Sequence, residues 1–164
     1  MQAEQCERFS RRWLDEGWLT SGKAINDMLL ESVTFIAGCK ALNHGDFKNA
    51  TRQLEASYDL SDDLETEFFL AKAYIAAHQW DKAVAILKDL EGSKGRIIAN
   101  QAYPPIIWPL AHYYLAVAFD ESGDKKHASD YYSRFLNLWQ QGDANLVAVS
   151  ASKKRLAELQ SSDR

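Results

Sequence analysis

The chain has 164 residues, 46% of them apolar and 26% charged, with three prolines and eight glycines. That is about one domain with enough apolar side chains for a core, and it excludes the collagenous, linker-like and disordered classes. Nineteen Lys and Arg against 23 Asp and Glu leave a net charge of −4, a poor match to phosphate backbones or anionic lipid, so neither nucleic acid nor membrane is an expected partner.

In chain order, Cys6, Phe9 and Trp13 stand at i, i+3 and i+7 and predict a first helix over 3–16 that stops at Gly17. The N-terminus holds no apolar run of the kind a secretory signal needs. Ser21 is placed to cap a long helix to about residue 44, with Ile25, Met28, Leu29, Ser32, Ile36 and Cys39 along its buried side. Helices follow over 47–59, 62–77, 80–91, 107–121 and 125–140. Ser61 is the expected cap of the 62–77 helix, ahead of Asp62, Asp63 and Glu65, whose charge suits a helix N-terminus. Leu146, Val149, Leu156 and Leu159 predict a last amphipathic helix over 144–160. Nothing alternates with period two, and the expected class is all-α.

Cys6 and Cys39 both fall on apolar helical faces, where a reduced cysteine acts as a small hydrophobe, and this points to a reducing compartment. The longest apolar run, 106–119, is broken by Pro109 and His112 and is shorter than the roughly 20 residues that span a bilayer. The chain is therefore expected to be soluble and cytoplasmic.

Self-comparison finds a repeat with a phase. GDFKNA (Gly45 to Ala50), HQWDKA (His78 to Ala83) and GDKKHA (Gly123 to Ala128) align as a turn, polar residues and an alanine, with intervals of 33 and 45 residues between the alanines. Seven positions before each turn stands Gly38, Ala71 or Ala116, and four before it Ala41, Tyr74 or Phe119. Four residues after each alanine stands Leu54, Leu87 or Tyr132. This pattern resembles the tetratricopeptide repeat (TPR), in which small residues let paired helices approach and each pair stacks on its neighbours. His78 stands where the repeat has glycine, and Lys125 where it has an aromatic residue.

The resemblance implies a right-handed α-α superhelix of about three helix pairs forming a single domain over 1–164. Residues 1–30 form an N-terminal helix and lead-in, 31–141 the repeats, and 143–160 a C-terminal capping helix. The second interval is longer by 12 residues, which places an insertion at about 92–108, where Gly92, Gly95, Pro104 and Pro105 are expected to stop helices. Its apolar residues Ile97, Ile98, Tyr103, Ile106, Ile107 and Trp108 are expected to pack on the last repeat. From Ala83 onward the segments KGRIIAN, PLAHYYLAVAFDESGDKKHASDYYSRFLNLWQQGD and KKRLAEL look like the C-terminal TPR region of multidomain bacterial proteins.

In such stacks the first helix of each pair lines a concave groove. With repeats starting at Glu31, Leu64 and Pro109, the resemblance assigns to that groove Phe35, Cys39, Leu42 and Asn43, then Phe68, Lys72 and Ile75 with Ala76, then Tyr113, Val117 and Asp120 with Glu121. The implied function is a non-enzymatic protein-interaction scaffold that takes a peptide, a helix or a second copy of itself through apolar contacts. The alternatives are a regulatory or sensor domain of a larger bacterial signalling or transcription protein, or a secretion-type TPR chaperone. The N-terminal residues Phe9, Trp13 and Trp18 are a further candidate to fill the groove.

No phosphate-binding glycine loop, HExxH or CxxC is present, and no nucleophile has a base beside it, so no catalytic residue, metal or cofactor is expected. His44 and His78 are read as turn residues and His112 as a hydrogen-bonded core histidine. Asp62, Asp63, Glu65 and Glu67 are read as a solvated helix start, and Lys153, Lys154 and Arg155 as a charged face.

Overall fold

The computed structural model describes residues 23–99, 105–140, 142–143 and 145–162. The helix expected over 3–16, the Ser21 cap and Tyr103 lie outside the described residues. Eight helices follow in order: α1 Lys23–Asn43, α2 Phe47–Tyr58, α3 Leu64–Ala76, α4 Trp80–Gly92, α5 Lys94–Ala99, α6 Ile107–Glu121, α7 Lys125–Leu138 and α8 Val147–Ser162. No strand occurs among the described residues, and the architecture is all-α. The chain divides into two compact units between Ala77 and His78.

In the first unit α1, α2 and α3 pack in sequence. The close approach is at Gly38, where a Cβ would stand 2.5 Å from Leu54 Cγ and 3.2 Å from the Leu54 backbone nitrogen. Leu54 and Ala50, from the facing side of α2, are fully buried. This contact overrides the apolar stripe expected on α1. Val33, Gly38 and Ala41 are buried instead, while Met28 is 59% exposed. Periodicity marked an apolar face, but α2 seats on the side where the backbone is bare. In the second unit α4 and α7 both pack on α6, and α8 packs on α7. The repeat's small and large positions are again core: Ala83, Leu87, Ala116 and Ala128 are at 0% and Tyr132 at 4% exposure.

The turns follow a local rule. Gly45 and Gly123 sit at φ +77° and +90°, each closing a Schellman turn, through Asp46 N–H to Ala41 O and Asp124 N–H to Phe119 O. The aspartate that follows caps the next helix. Asp46 accepts from Asn49 N–H at 3.2 Å, and Asp124 from His127 N–H at 3.1 Å. In the third such turn His78 is forced to φ +57°, and Gln79 supplies no side-chain cap. The His78 ring rests edge-on against Trp80 at 4.9 Å.

Two expected helix boundaries move. Ser61 is not the cap of α3. Asp63, in extended backbone at φ −70° and ψ 132°, accepts from Glu65 and Thr66 N–H at 3.0 and 3.2 Å, and two residues separate Ser61 from the helix start. The insertion is not wholly a loop either. Gly92 is the last residue of α4 and Gly95 lies inside α5, since a single glycine costs a helix only about 1 kcal/mol relative to alanine and does not forbid it.

His78→Gly should raise the urea midpoint by the equivalent of about 1 kcal/mol, because glycine adopts the left-handed region without a Cβ clash. Adding Gln79→Asp should raise it again by roughly 0.5–1 kcal/mol as a cap forms. An unchanged midpoint in the double variant would show that the turn carries no strain. Gly38→Ala should destabilise by about 1–3 kcal/mol through overpacking against Leu54. A neutral result would mean that α1 and α2 do not need the bare backbone.

Candidate partner-binding faces

The twelve groove residues predicted from the repeat fall in two groups, one in each unit. In the first, α1 carries Phe35, Cys39, Leu42 and Asn43, and α3 carries Phe68, Lys72 and Ile75. Contacts step together along the two helices, which therefore run parallel. Glu31 lies in the field of Glu65, Phe35 meets Phe69 edge-on at 5.5 Å, and Cys39 lies in the field of Lys72. Phe68 is buried and meets Phe69 edge-on at 5.9 Å. The Lys72 ammonium stands 4.8 Å from the centroid of Phe69 and 5.7 Å from that of Phe68, over aromatic faces whose quadrupole attracts a cation. Leu42 and Ile75 are half-buried at the far end, and Asn43 is exposed.

Dehydration governs the charges on this face. Burial pushes the Cys39 thiol up to about 11, with the Glu65 carboxylate adding to the rise and Lys72 opposing it. Burial also pulls the Lys72 ammonium below its usual value and lifts the Glu65 carboxyl, to which Asp63 and Glu31 add. Each shift favours the neutral form, as an apolar surrounding does. Glu65 is thus part of the α1–α3 face rather than only a solvated helix start, and Glu67 is buried. Phe69, one position beyond Phe68, was missed by the repeat assignment, although it follows Phe35 by 34 residues, the repeat's own period.

In the second unit the equivalent positions meet α8. Tyr113 and Leu110 pack against Phe135, Ala148 and Val149. Burial raises the Tyr113 hydroxyl above its usual range. Asp120 accepts from Arg155 Nε at 2.6 Å and Nη2 at 2.9 Å, and from the Tyr132 hydroxyl at 3.4 Å. This two-pronged pairing fits the planar guanidinium. Arg155, read in sequence as part of a solvated charged face, instead ties α8 to α6, and Lys153 and Lys154 are exposed. Val117 is half-buried.

The root of the insertion is held by a cluster around Glu91. Trp108 Nε1 donates to Glu91 O at 3.1 Å, and the Glu91 carboxylate faces Lys88, Tyr131, Arg134 and His112. Lys88 Nζ also donates to the Tyr131 hydroxyl. His112 is buried, with Nδ1 3.0 Å from Trp108 O and Nε2 3.5 Å from Glu91 Oε1, in keeping with a hydrogen-bonded core histidine. Ile107 is buried and Ile106 exposed, whereas the side chains of Ile97 and Ile98 lie outside the described residues. Among the described residues no group of His, Cys, Asp and Glu is arranged to hold a metal, and no helix is long and apolar enough to cross a membrane.

The chain matches no protein-family model and none of the curated proteins. It is similar in structure to a kinesin light chain-like protein of Podosopora anserina with nearly identical TPR-like repeats. The TM-score is 0.62 at 15% identity, covering 99% of this chain and 87% of that one. A point-substituted form of that protein gives a TM-score of 0.64 at 15% identity, covering 99% and 86%. The chain has a TPR-type helical repeat fold.

Cys39 should react with iodoacetamide at pH 8 roughly 100-fold more slowly in the folded chain than in urea, since a rise to about 11 removes most of its thiolate. Peptide mass mapping reads the rate, and equal labelling in the two states would show that the α1–α3 face is fully wetted.

Proposed function

We propose that this chain is a non-enzymatic scaffold that binds a protein partner through the α1–α3 face. The observation that carries this reading is the cluster of Phe35, Phe68, Phe69, Cys39 and Lys72, in which two parallel helices share an aromatic surface that is half open and already poorly hydrated. Such a surface suits an amphipathic helix or an apolar peptide, because its burial removes apolar area from water and strips little further hydration from charge. Phe35, Cys39, Leu42, Asn43, Lys72 and Ile75 are the contact residues of this reading, with Phe68 beneath them. Tyr113, Val117 and Asp120 line a corresponding face in the second unit, where α8 supplies the contact to Tyr113 and Asp120 in cis. The three repeats of 31–141 and the cytoplasmic location belong to the same proposal.

The test is selection of 16-residue peptides from a displayed helical library on the immobilised chain, followed by titration of the selected peptides against Phe35→Glu. Phe35 is half-buried, so the helical circular dichroism signal should stay near that of the unsubstituted chain. Affinity should fall at least tenfold, the loss of one aromatic anchor. Peptides that bind the variant as tightly as the parent would place the site elsewhere.

A further inference from the structure

His112 and Glu91 face each other in the second unit and take no part in the proposed partner-binding face. The His112 side chain is only 6% exposed, and an acceptor stands at each of its ring nitrogens. Nδ1 lies 3.0 Å from Trp108 O, and a carbonyl only accepts, so Nδ1 carries a proton. Nε2 lies 3.5 Å from Glu91 Oε1. A neutral imidazole with its proton on Nδ1 would turn a lone pair toward that carboxylate, so a further proton must lie between the two groups.

The other neighbours of Glu91 decide which group holds it. Lys88 Nζ donates to Glu91 Oε2 at 3.0 Å. The Tyr131 hydroxyl accepts from Lys88 and passes its own proton to Oε2 at 3.2 Å, while Arg134 Nη1 stands 3.6 Å from Oε1. Two cations and a hydroxyl donor favour the ionised carboxylate, which leaves the proton to His112. Opposing it are the charges of Lys88 on α4, Arg134 on α7 and Lys94 on α5, the last 4.3 Å from the centroid of the Trp108 ring that also meets His112. All three lysine and arginine side chains reach solvent, and Arg134 is paired to Asp130 at 2.8 Å, so their repulsion is screened. The His112–Glu91 contact is the more buried one and outweighs them.

We infer that His112 is an imidazolium in the folded chain, and that its charge fastens the start of α6 to the end of α4 at the root of the insertion, a joint that loosens as pH rises. The direction follows from proton binding. An imidazole in an unfolded chain gives up its proton near pH 6.5, so a folded chain that keeps it binds more protons above that pH and loses stability as the pH is raised. The contribution is whole below about pH 6, where both states are charged.

The experiment compares the full-length chain with Glu91→Gln, whose amide can donate to a neutral Nε2 from the same space. Urea unfolding at about pH 6 and about pH 8 should show the stability advantage of the unsubstituted chain shrinking about tenfold as a ratio of unfolding constants. Both chains share His44, His78 and His127, so their titration cancels in that ratio. Nitrogen-15 histidine NMR gives a second readout on the unsubstituted chain. At about pH 7.5 His112, assigned through its contact with the Trp108 ring, should carry protons on both ring nitrogens, against one in Glu91→Gln. An advantage that does not change between the two pH values, or a single protonated ring nitrogen in the unsubstituted chain, overturns the inference.

Discussion

Everything on the first unit depends on how closely α1 and α2 approach each other. At Gly38 there is no room for a methyl group, because Leu54 occupies the space that a Cβ would need. Ridge-and-groove packing converts that single close contact into an orientation for both helices, since the side chains above and below must interdigitate at the same spacing. Ala41 and Ala50, small and buried on the two helices, extend the contact by a turn toward the Gly45 bend. Once α2 is seated, α3 has one apolar surface left to pack on, and α1 and α3 are brought parallel. The face that carries Phe35, Phe69 and Lys72 is a consequence of this geometry, since those residues stand on the sides of α1 and α3 that meet each other.

The turns show how much of the backbone can be read from sequence and where reading stops. Gly45 and Gly123, each followed by aspartate, specify a left-handed residue and then a cap, and the structure has both. His78 and Gln79 occupy the same frame with neither property, yet the chain still makes the turn, which means that its surroundings dictate the backbone and the local residues resist it. The boundary between the two compact units falls immediately before His78. Ser61 is the cap that the sequence suggests and Asp63 the one the structure uses, because both residue types cap well and helix ends differ by a residue or two. Only the extended backbone at Asp63 decides between them.

Long-range partners were the part that spacing did not disclose. The apolar stripe of α1 was legible as a stripe, but nothing in its period says which side a neighbour will choose, and the choice fell on the bare backbone at Gly38. Phe35 and Lys72 both meet the Phe69 ring, and the repeat's phase relates positions of α1 and α3 across 33 or 34 residues. Asp120 and Arg155 are 35 residues apart and belong to elements of different kind, a repeat helix and the helix that follows the last repeat, so no phase relates them. The same limit applies to Glu91, which gathers side chains from α4, α6 and α7 around one carboxylate. Its partners include an aromatic hydroxyl and a buried imidazole, and their convergence is a property of the packed unit.

The two faces built on equivalent repeat positions meet different environments. Around Tyr113 and Asp120, α8 supplies apolar cover and a guanidinium, so the carboxylate is paired and the ring is packed within the unit. Around Phe35 and Phe69 the side chains are half-buried, and the Lys72 ammonium stands over the Phe68 and Phe69 rings. An interface core is poor in charge because each ion must lose hydration before contact. On the α1–α3 face part of that loss accompanies folding, the direction in which burial moves both the Lys72 ammonium and the Cys39 thiol. Under the proposed function, what a partner adds there is mainly the removal of aromatic surface from water, a contribution that grows with area and demands little directional precision. On that proposal, affinity is set by how well an apolar shape fits between two parallel helices.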